Sequence, residues 1–193
     1  MDFTLIFNSV LLGIGLAMDA FSVSLANGLN EPCMKERKAV GISGLFALFQ
    51  AVMPLCGWIC VHTVAQYFPA FKMAVPYIAL VLLVFIGGKM IYESIKDDDK
   101  CCCERKGLTI SIIVLQAIAT SIDALSVGFT ISDYNFVKAL LSALIISAVT
   151  FVICYIGVKL GKKAGTKFGS KAGILGGGIL IFIGLRIFIG SFI

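Results

Sequence analysis

Charged residues and histidine are both scarce in this chain of 193 residues. Asp, Glu, Lys and Arg make up only 14% of it, hydrophobic residues reach 59%, and the mean hydropathy is +1.01. Soluble globular domains carry about 25% charged residues, so the composition excludes that class and predicts a membrane protein. The single histidine, His62, argues against an imidazole cage for zinc or copper.

Other expected features are missing too. No P-loop occurs in the chain, which makes coupling to protons or to the membrane potential more plausible than coupling to ATP. The net charge of +5 lies in loops without interleaved aromatic residues, so no nucleic-acid partner is expected. The first apolar run follows no basic segment and is too long for a signal peptide. Seven cysteines are an odd number, and Cys101–Cys103 lie in a predicted cytoplasmic loop, so no disulfide framework is expected.

Six long apolar runs follow one another along the chain. They lie at Phe3–Gly28, Ala39–Val61, Val75–Tyr92, Leu108–Ile131, Val137–Val158 and Gly173–Ile193. Each run is close to the ~20 residues that cross a bilayer as a helix. The sequence therefore predicts an all-α, polytopic membrane protein with six transmembrane helices in one membrane domain.

Basic residues are distributed unevenly between the two sides of these spans. The loops after the first, third and fifth spans contain 12 Lys and Arg residues, whereas the opposite side has only Lys72 and Lys138. Because Lys-rich and Arg-rich loops stay in the cytoplasm, both termini are predicted to lie outside it.

The two halves of the chain share short phrases in the same order. Residues 18–23 match residues 122–127 at an offset of 104, while residues 50–52 match 147–149 and residues 85–89 match 182–186 at an offset of 97. Each half contains three spans, so the halves must cross the membrane in opposite directions, as in the inverted repeats of many transporters. The predicted division is repeat one at 1–95, a cytoplasmic linker at 96–106 and repeat two at 107–193.

The matching phrases of the first and fourth spans each contain an aspartate, Asp19 and Asp123. Placing a carboxylate inside a bilayer costs about 2.5–3.5 kcal/mol of free energy, so each aspartate is expected to have a compensating partner or a function. Both share a helix face with other polar residues. These are Ser22 and Asn27 beside Asp19, and Gln116, Thr120, Ser126 and Thr130 beside Asp123. Helix packing also explains the Ser and Thr residues taken singly.

Carboxylate, amide and hydroxyl oxygens together suit Mg²⁺, Ca²⁺ or Mn²⁺. Gln50, four residues before Pro54, either joins such a site or makes a helix-to-helix hydrogen bond. Straight helices centred in the membrane would leave Asp19 and Asp123 on the order of 10 Å apart in height. Three explanations are open: the predicted span boundaries are off, a tilted or broken helix brings the two together, or an ion visits them in sequence.

Lys89 and Arg186 occupy equivalent positions near the ends of the third and sixth spans. Snorkelling to the interface explains each of them, and their pairing leaves room for a second role as counter-charges to empty aspartates. The three consecutive cysteines Cys101–Cys103 are either a loose metal-binding cluster or part of a solvated linker, and the composition favours the linker.

Four phrases carry a resemblance to the MntP family of bacterial manganese efflux pumps: residues 15–21, 53–58, 85–91 and 117–124. The likeness covers essentially the whole chain. It implies a secondary transporter, not an enzyme, that exports Mn²⁺ across the plasma membrane without a cofactor, with Asp19 and Asp123 essential. It also implies a functional glycine at Gly28. At the position where members of that family often carry an acidic residue, this chain has Gln50. The implied site therefore has one negative charge fewer, which leaves its ligand set and metal preference open.

The predicted metal-binding set is Asp19, Asp123, Gln50, Ser22, Thr120, Ser126 and Asn27, with Gly28, Lys89 and Arg186 as further functional residues. Two other interpretations stand beside export. Related sporulation membrane proteins share the Asp and Ser-Val pattern, which would mean a structural role without manganese export. Intramembrane aspartyl proteases also use two aspartates, but their Tyr-Asp and Gly-x-Gly-Asp phrases are absent here, and the similar surroundings of the two aspartates favour alternating access.

Overall fold

The computed structural model describes residues 3–63, 80–81, 84–89, 91–92, 95, 109–131, 134–168 and 172–190. Its helices there are α1 (Phe3–Asn30), α2 (Glu36–Thr63), α3 (Ile110–Thr130), α4 (Phe136–Phe168) and α5 (Ala172–Gly190). Residues 84–89 are helical as well, and no strand occurs in this part of the chain. The predicted all-α class is confirmed.

Four of these helices, α1 to α4, are long and apolar enough to cross a membrane. The 28 residues of α1 extend about 42 Å at the usual helical rise, which exceeds a hydrocarbon core of about 30 Å. In α5 the apolar stretch is shorter, Ile174–Ile183. Much of the predicted third span falls outside the described residues. The chain is therefore a multi-pass membrane protein, and the sixfold crossing stays a prediction.

Helix α4 continues well beyond its predicted end at Val158, through Lys159, Lys162 and Lys163 to Phe168. The apolar run ends where the lysines begin, but lysine is itself a good helix former, so charge alone does not stop a helix. The helix therefore extends well past the end of the predicted apolar run.

Helices α1 and α4 pack side by side and run in the same direction. Near their starts, Ser9 Oγ donates a hydrogen bond to Ser142 Oγ at 3.0 Å. Near their ends, a Cβ atom added to Gly28 would lie only 2.9 Å from the Gly161 Cα and would also meet the Val158 carbonyl. The two backbones therefore touch at Gly28, and no larger residue fits there without moving a helix.

Helices α2 and α3 form a second parallel pair. A Cβ atom on Gly128 would lie 2.6 Å from the Gly57 Cα, so these two backbones also touch. Beyond this contact, Trp58 Nε1 donates to the Tyr134 carbonyl at 3.0 Å. The two pairs are joined by Ser147 Oγ of α4, which donates to the Ala47 carbonyl of α2 at 2.9 Å.

One cysteine departs from the expectation of reduced thiols. Cys33, in the loop between α1 and α2, is disulfide-bonded, and its partner lies outside the described residues. Free thiols were expected because the cytoplasm is reducing. The Cys33 disulfide depends instead on which cysteines are neighbours in the fold, and the sequence alone does not give that. The Cys101–Cys103 cluster lies outside the described residues, so its role stays a prediction.

Candidate metal-ion site

The two aspartates lie at nearly the same level between antiparallel helices. Asn27 Nδ2 of α1 donates a hydrogen bond to Gln116 Oε1 of α3 at 2.8 Å, which sets the register of the pair. Asp19 precedes Asn27 by eight residues and Asp123 follows Gln116 by seven. Because α1 and α3 are antiparallel, both steps lead in the same direction along the bundle, over about 12 Å in α1 and about 10.5 Å in α3. The two steps are nearly equal, so the aspartates lie at similar heights.

This register corrects the height difference on the order of 10 Å that centred helices would produce. That expectation assumed that the midpoints of the first and fourth spans lie at one depth. In the structure α1 and α3 are shifted along their axes, and the shift brings Asp19 opposite Asp123. The two carboxylates are also close enough for their negative charges to repel each other.

Both carboxylates keep access to the space around the helices. Asp19 is half-buried and Asp123 is exposed along one side. Asp123 Oδ1 accepts a hydrogen bond from the Ala124 backbone N–H at 2.8 Å, which holds that side chain against its own helix turn. A divalent cation between the two carboxylates would relieve their repulsion, because its charge is opposite to both.

Two serine hydroxyls stand one helical turn after the aspartates, at equivalent positions of the two repeats. Ser22 is half-buried and Ser126 is exposed. Ser22 Oγ donates to the Met18 carbonyl at 3.0 Å, so its hydrogen is used while its oxygen lone pairs can still accept or coordinate. The structure therefore places each serine one turn from the aspartate of its own helix, and it brings Asp19 close to Asp123.

The other predicted ligands are enclosed by protein. Asn27, Gln50 and Thr120 are at most 1% exposed. Thr120 Oγ1 donates to the Gln116 carbonyl at 2.9 Å, and neither side-chain amide atom of Gln50 has a hydrogen-bond partner. Buried amides without partners are costly. Gln50 therefore carries unused hydrogen-bonding capacity inside the bundle.

Gln116 is a further polar residue of this region that is not in the predicted metal-binding set. It was placed on the polar face of the fourth span, which is the signal that could have found it. Its importance comes from the contact with Asn27, and the long-range register of α1 against α3 creates that contact. The Asn27 Oδ1 and Gln116 Nε2 atoms have no further partner.

The remaining predicted residues have different surroundings. Gly28 lies at the α1–α4 backbone contact, which is sufficient reason for a glycine there. Lys89 is exposed on the helical segment 84–89 and interacts with a neighbouring group. The side chain of Arg186 lies outside the described part of the chain. Their role as counter-charges stays a prediction.

A cavity of about 540 Å³ opens between α1 and the end of α3, and its lining begins one helical turn from Asp19. Gly15 and Leu16, one helical turn before Asp19, lie at one end of its lining, and Asn8 lies at the other. In the opposite direction along α1, the hydrogen-bonded Asn27–Gln116 pair is fully buried. Access to the aspartates therefore differs on the two sides.

Membrane-length helices with two neighbouring carboxylates between them are typical of membrane transporters for cations. The family model described as "Putative manganese efflux pump" matches residues 33–188, and the chain belongs to this family of transporters, the MntP family. It is not a family of enzymes.

Curated relatives with the same description are similar over nearly their whole length. One from Ruminiclostridium cellulolyticum is 42% identical and one from Clostridium botulinum strain Loch Maree is 44% identical, each over 93% of this chain and over 93% and 92% of the relative. One from Clostridium perfringens strain 13 is 39% identical over 94% of this chain and 93% of the relative. No solved structure matches the chain.

Proposed function

We propose that this protein exports Mn²⁺ from the cytoplasm across the bacterial plasma membrane and that Asp19 and Asp123 bind the ion between them. The observation that carries the proposal is the level placement of two accessible carboxylates on antiparallel helices. Ser22 and Ser126 would add hydroxyl oxygens, which suit Mn²⁺. The relatives described as manganese efflux pumps support the choice of metal.

Expression in a bacterial strain that lacks its manganese exporter tests this function. We expect growth at otherwise toxic manganese concentrations and a lower manganese content of the cells, measured by elemental analysis. A chain that is present in the membrane but leaves both quantities unchanged would contradict manganese export and favour the structural alternative.

We further propose that the two repeats are arranged with inverted topology. Adding 97 to a residue number in the second span, or subtracting 104 from one in the fourth span, gives the equivalent residue of the other repeat. A contact in one place can therefore be compared with the equivalent contact elsewhere. The Gly57–Gly128 contact becomes the pair Cys154 and Ser24, whose side chains are neighbours. Parallel packing of α2 with α3 likewise corresponds to parallel packing of α4 with α1. These correspondences support a twofold relation with its axis in the membrane plane.

The inverted repeat also predicts two barriers to the ion, one on each side of the aspartates along the membrane normal. The buried Asn27–Gln116 pair corresponds to Ile131 and Leu12, which belong to one apolar cluster and line the open cavity. Alternating access then requires the amide pair to separate for loading while the apolar pair closes the cavity, and the apolar pair to stand apart for release while the amide pair is closed. The Lys and Arg counts support a cytoplasmic position for the amide pair.

Topology provides a separate test. A reporter inserted within residues 96–106 should be cytoplasmic, and a reporter fused after residue 193 should be extracytoplasmic, because 12 of 14 loop Lys and Arg residues lie on one side. Activity of a phosphatase that works only outside the cytoplasm, compared with fluorescence of a protein that folds only inside it, measures both. Termini inside the cell would overturn the orientation but not the repeat.

Gln50 is predicted to contribute to the ion path. Gln50→Glu should retain transport and change its metal selectivity or pH dependence, because an added carboxylate attracts divalent ions and competes for protons. Gln50→Leu should reduce transport. Efflux of Mn²⁺ from vesicles between about pH 6 and 8 covers the titration range of a buried carboxylate.

Thr150→Val is the matched control for Gln50, because Thr150 is also fully buried with an unpartnered side-chain oxygen and was not assigned to the site. It should transport like the parent. If both Gln50 variants also matched the parent at every pH, Gln50 would be a packing residue, and the metal site would be completed by Thr120, Ser22 and Ser126.

A further inference from the structure

Helix α4 is longer than a membrane crossing requires. Its 33 residues extend about 50 Å, against a hydrocarbon core of about 30 Å. The turns nearest its end carry Lys159, Lys162, Lys163 and Lys167, whereas the preceding turns are apolar. This part of α4 therefore lies at the level of the lipid headgroups.

A groove of about 500 Å³ runs along this part of α4, beside the loop that leads into α2. Its apolar part is formed by Ile156 and Leu160, which are 47% and 49% exposed. Lys159 and Lys163 lie along the same groove. The groove thus combines apolar side chains open to lipid with two ammonium groups.

The acidic side chain that lines the groove, Glu36, is already engaged. Its Oε1 forms an ion pair with Lys162 Nζ at 2.8 Å, and its Oε2 accepts a hydrogen bond from the Tyr155 hydroxyl at 3.1 Å. Lys159 Nζ lies 4.8 Å from the centre of the Tyr155 ring, a cation–π contact that positions the amine without cancelling its charge. The groove keeps an excess of positive charge.

We propose that this groove binds an anionic phospholipid, with the phosphate group between Lys159 and Lys163 and an acyl chain against Ile156 and Leu160. The complementarity is twofold, because the lysines match the headgroup charge and the exposed aliphatic side chains match the chain. A soluble anion would gain nothing from the apolar part. A zwitterionic lipid would bring its own ammonium group among the lysines.

Native mass spectrometry of the purified full-length protein, titrated with phosphatidylglycerol or phosphatidylcholine, tests the proposal. We expect retained phosphatidylglycerol and little phosphatidylcholine. Lys159→Gln/Lys163→Gln should weaken phosphatidylglycerol binding roughly 30-fold, since each basic residue near a membrane surface contributes about a factor of five. The control is Lys35→Gln/Lys167→Gln, which removes two exposed charges near the same end outside the groove and should retain binding.

Several outcomes would overturn the lipid site. Equal losses in both double variants would mean unspecific attraction, and equal binding of the two lipids would remove the role of charge. Displacement of the lipid by inorganic phosphate or by an acidic peptide at equal concentration would indicate an anion or protein site instead. None of these measurements depends on manganese transport, so the lipid site and the export function can fail independently.

Discussion

Asp19→Asn and Asp123→Asn should each abolish manganese export while the protein still inserts into the membrane. The two carboxylates lie close enough on α1 and α3 to repel each other, and each variant removes half of the negative charge available to the proposed ion. Changing even an outer partner of a metal ligand costs about 10- to 100-fold, so losing a ligand should cost at least roughly 100-fold. Insertion should become easier, because a carboxylate inside the bilayer costs about 2.5–3.5 kcal/mol.

Manganese tolerance of an exporter-deficient strain and the amount of protein in its membranes measure the two effects separately. Ser142→Ala is the control, because Ser142 is buried and polar and bonds Ser9 near the start of α1, away from the aspartates. It should retain export. Normal tolerance in both aspartate variants would remove the basis of the proposed site.

Locking the Asn27–Gln116 barrier should stop transport nearly completely. The side chains of these residues meet across α1 and α3 at 2.8 Å, and alternating access requires them to separate in every cycle. Asn27→Cys/Gln116→Cys, in a background without native cysteines, places two thiols within reach of a short, cleavable, bifunctional thiol reagent. Export should be lost after cross-linking and recover after cleavage, as followed by Mn²⁺ flux in vesicles.

The Mn²⁺ flux is compared before cross-linking, after cross-linking and after cleavage in the same variant, so any effect of the cysteine substitutions is common to all three measurements. A monofunctional reagent of similar size, and each single cysteine variant treated with the bifunctional one, control for bulk. Leu12→Cys/Ile131→Cys, the equivalent pair of the inverted repeat, should behave in the same way. Unchanged flux through a fully cross-linked Asn27–Gln116 pair would show that ions do not pass this barrier.

Local sequence patterns predicted the parts of this protein that depend on neighbouring residues. Apolar runs of about 20 residues identify membrane helices, because an unpaired backbone cannot be left in lipid. The polar face of α3 followed from helical spacing, and Asp19 and Asp123 stood out because a bilayer penalises charge. The family membership rests on the same short phrases. None of these inferences requires knowing which helices touch.

Contacts between distant helices decided the rest. The close backbone approaches at Gly28 and at Gly57–Gly128 determine how the helices slide along one another, and no local pattern encodes that shift. It places Asp19 level with Asp123, pairs Asn27 with Gln116, and encloses Gln50 and Thr120 while Ser22 and Ser126 stay accessible. The sequence by itself determined which residues are costly in a membrane. Only the packed structure, through helix register, decided which of them meet.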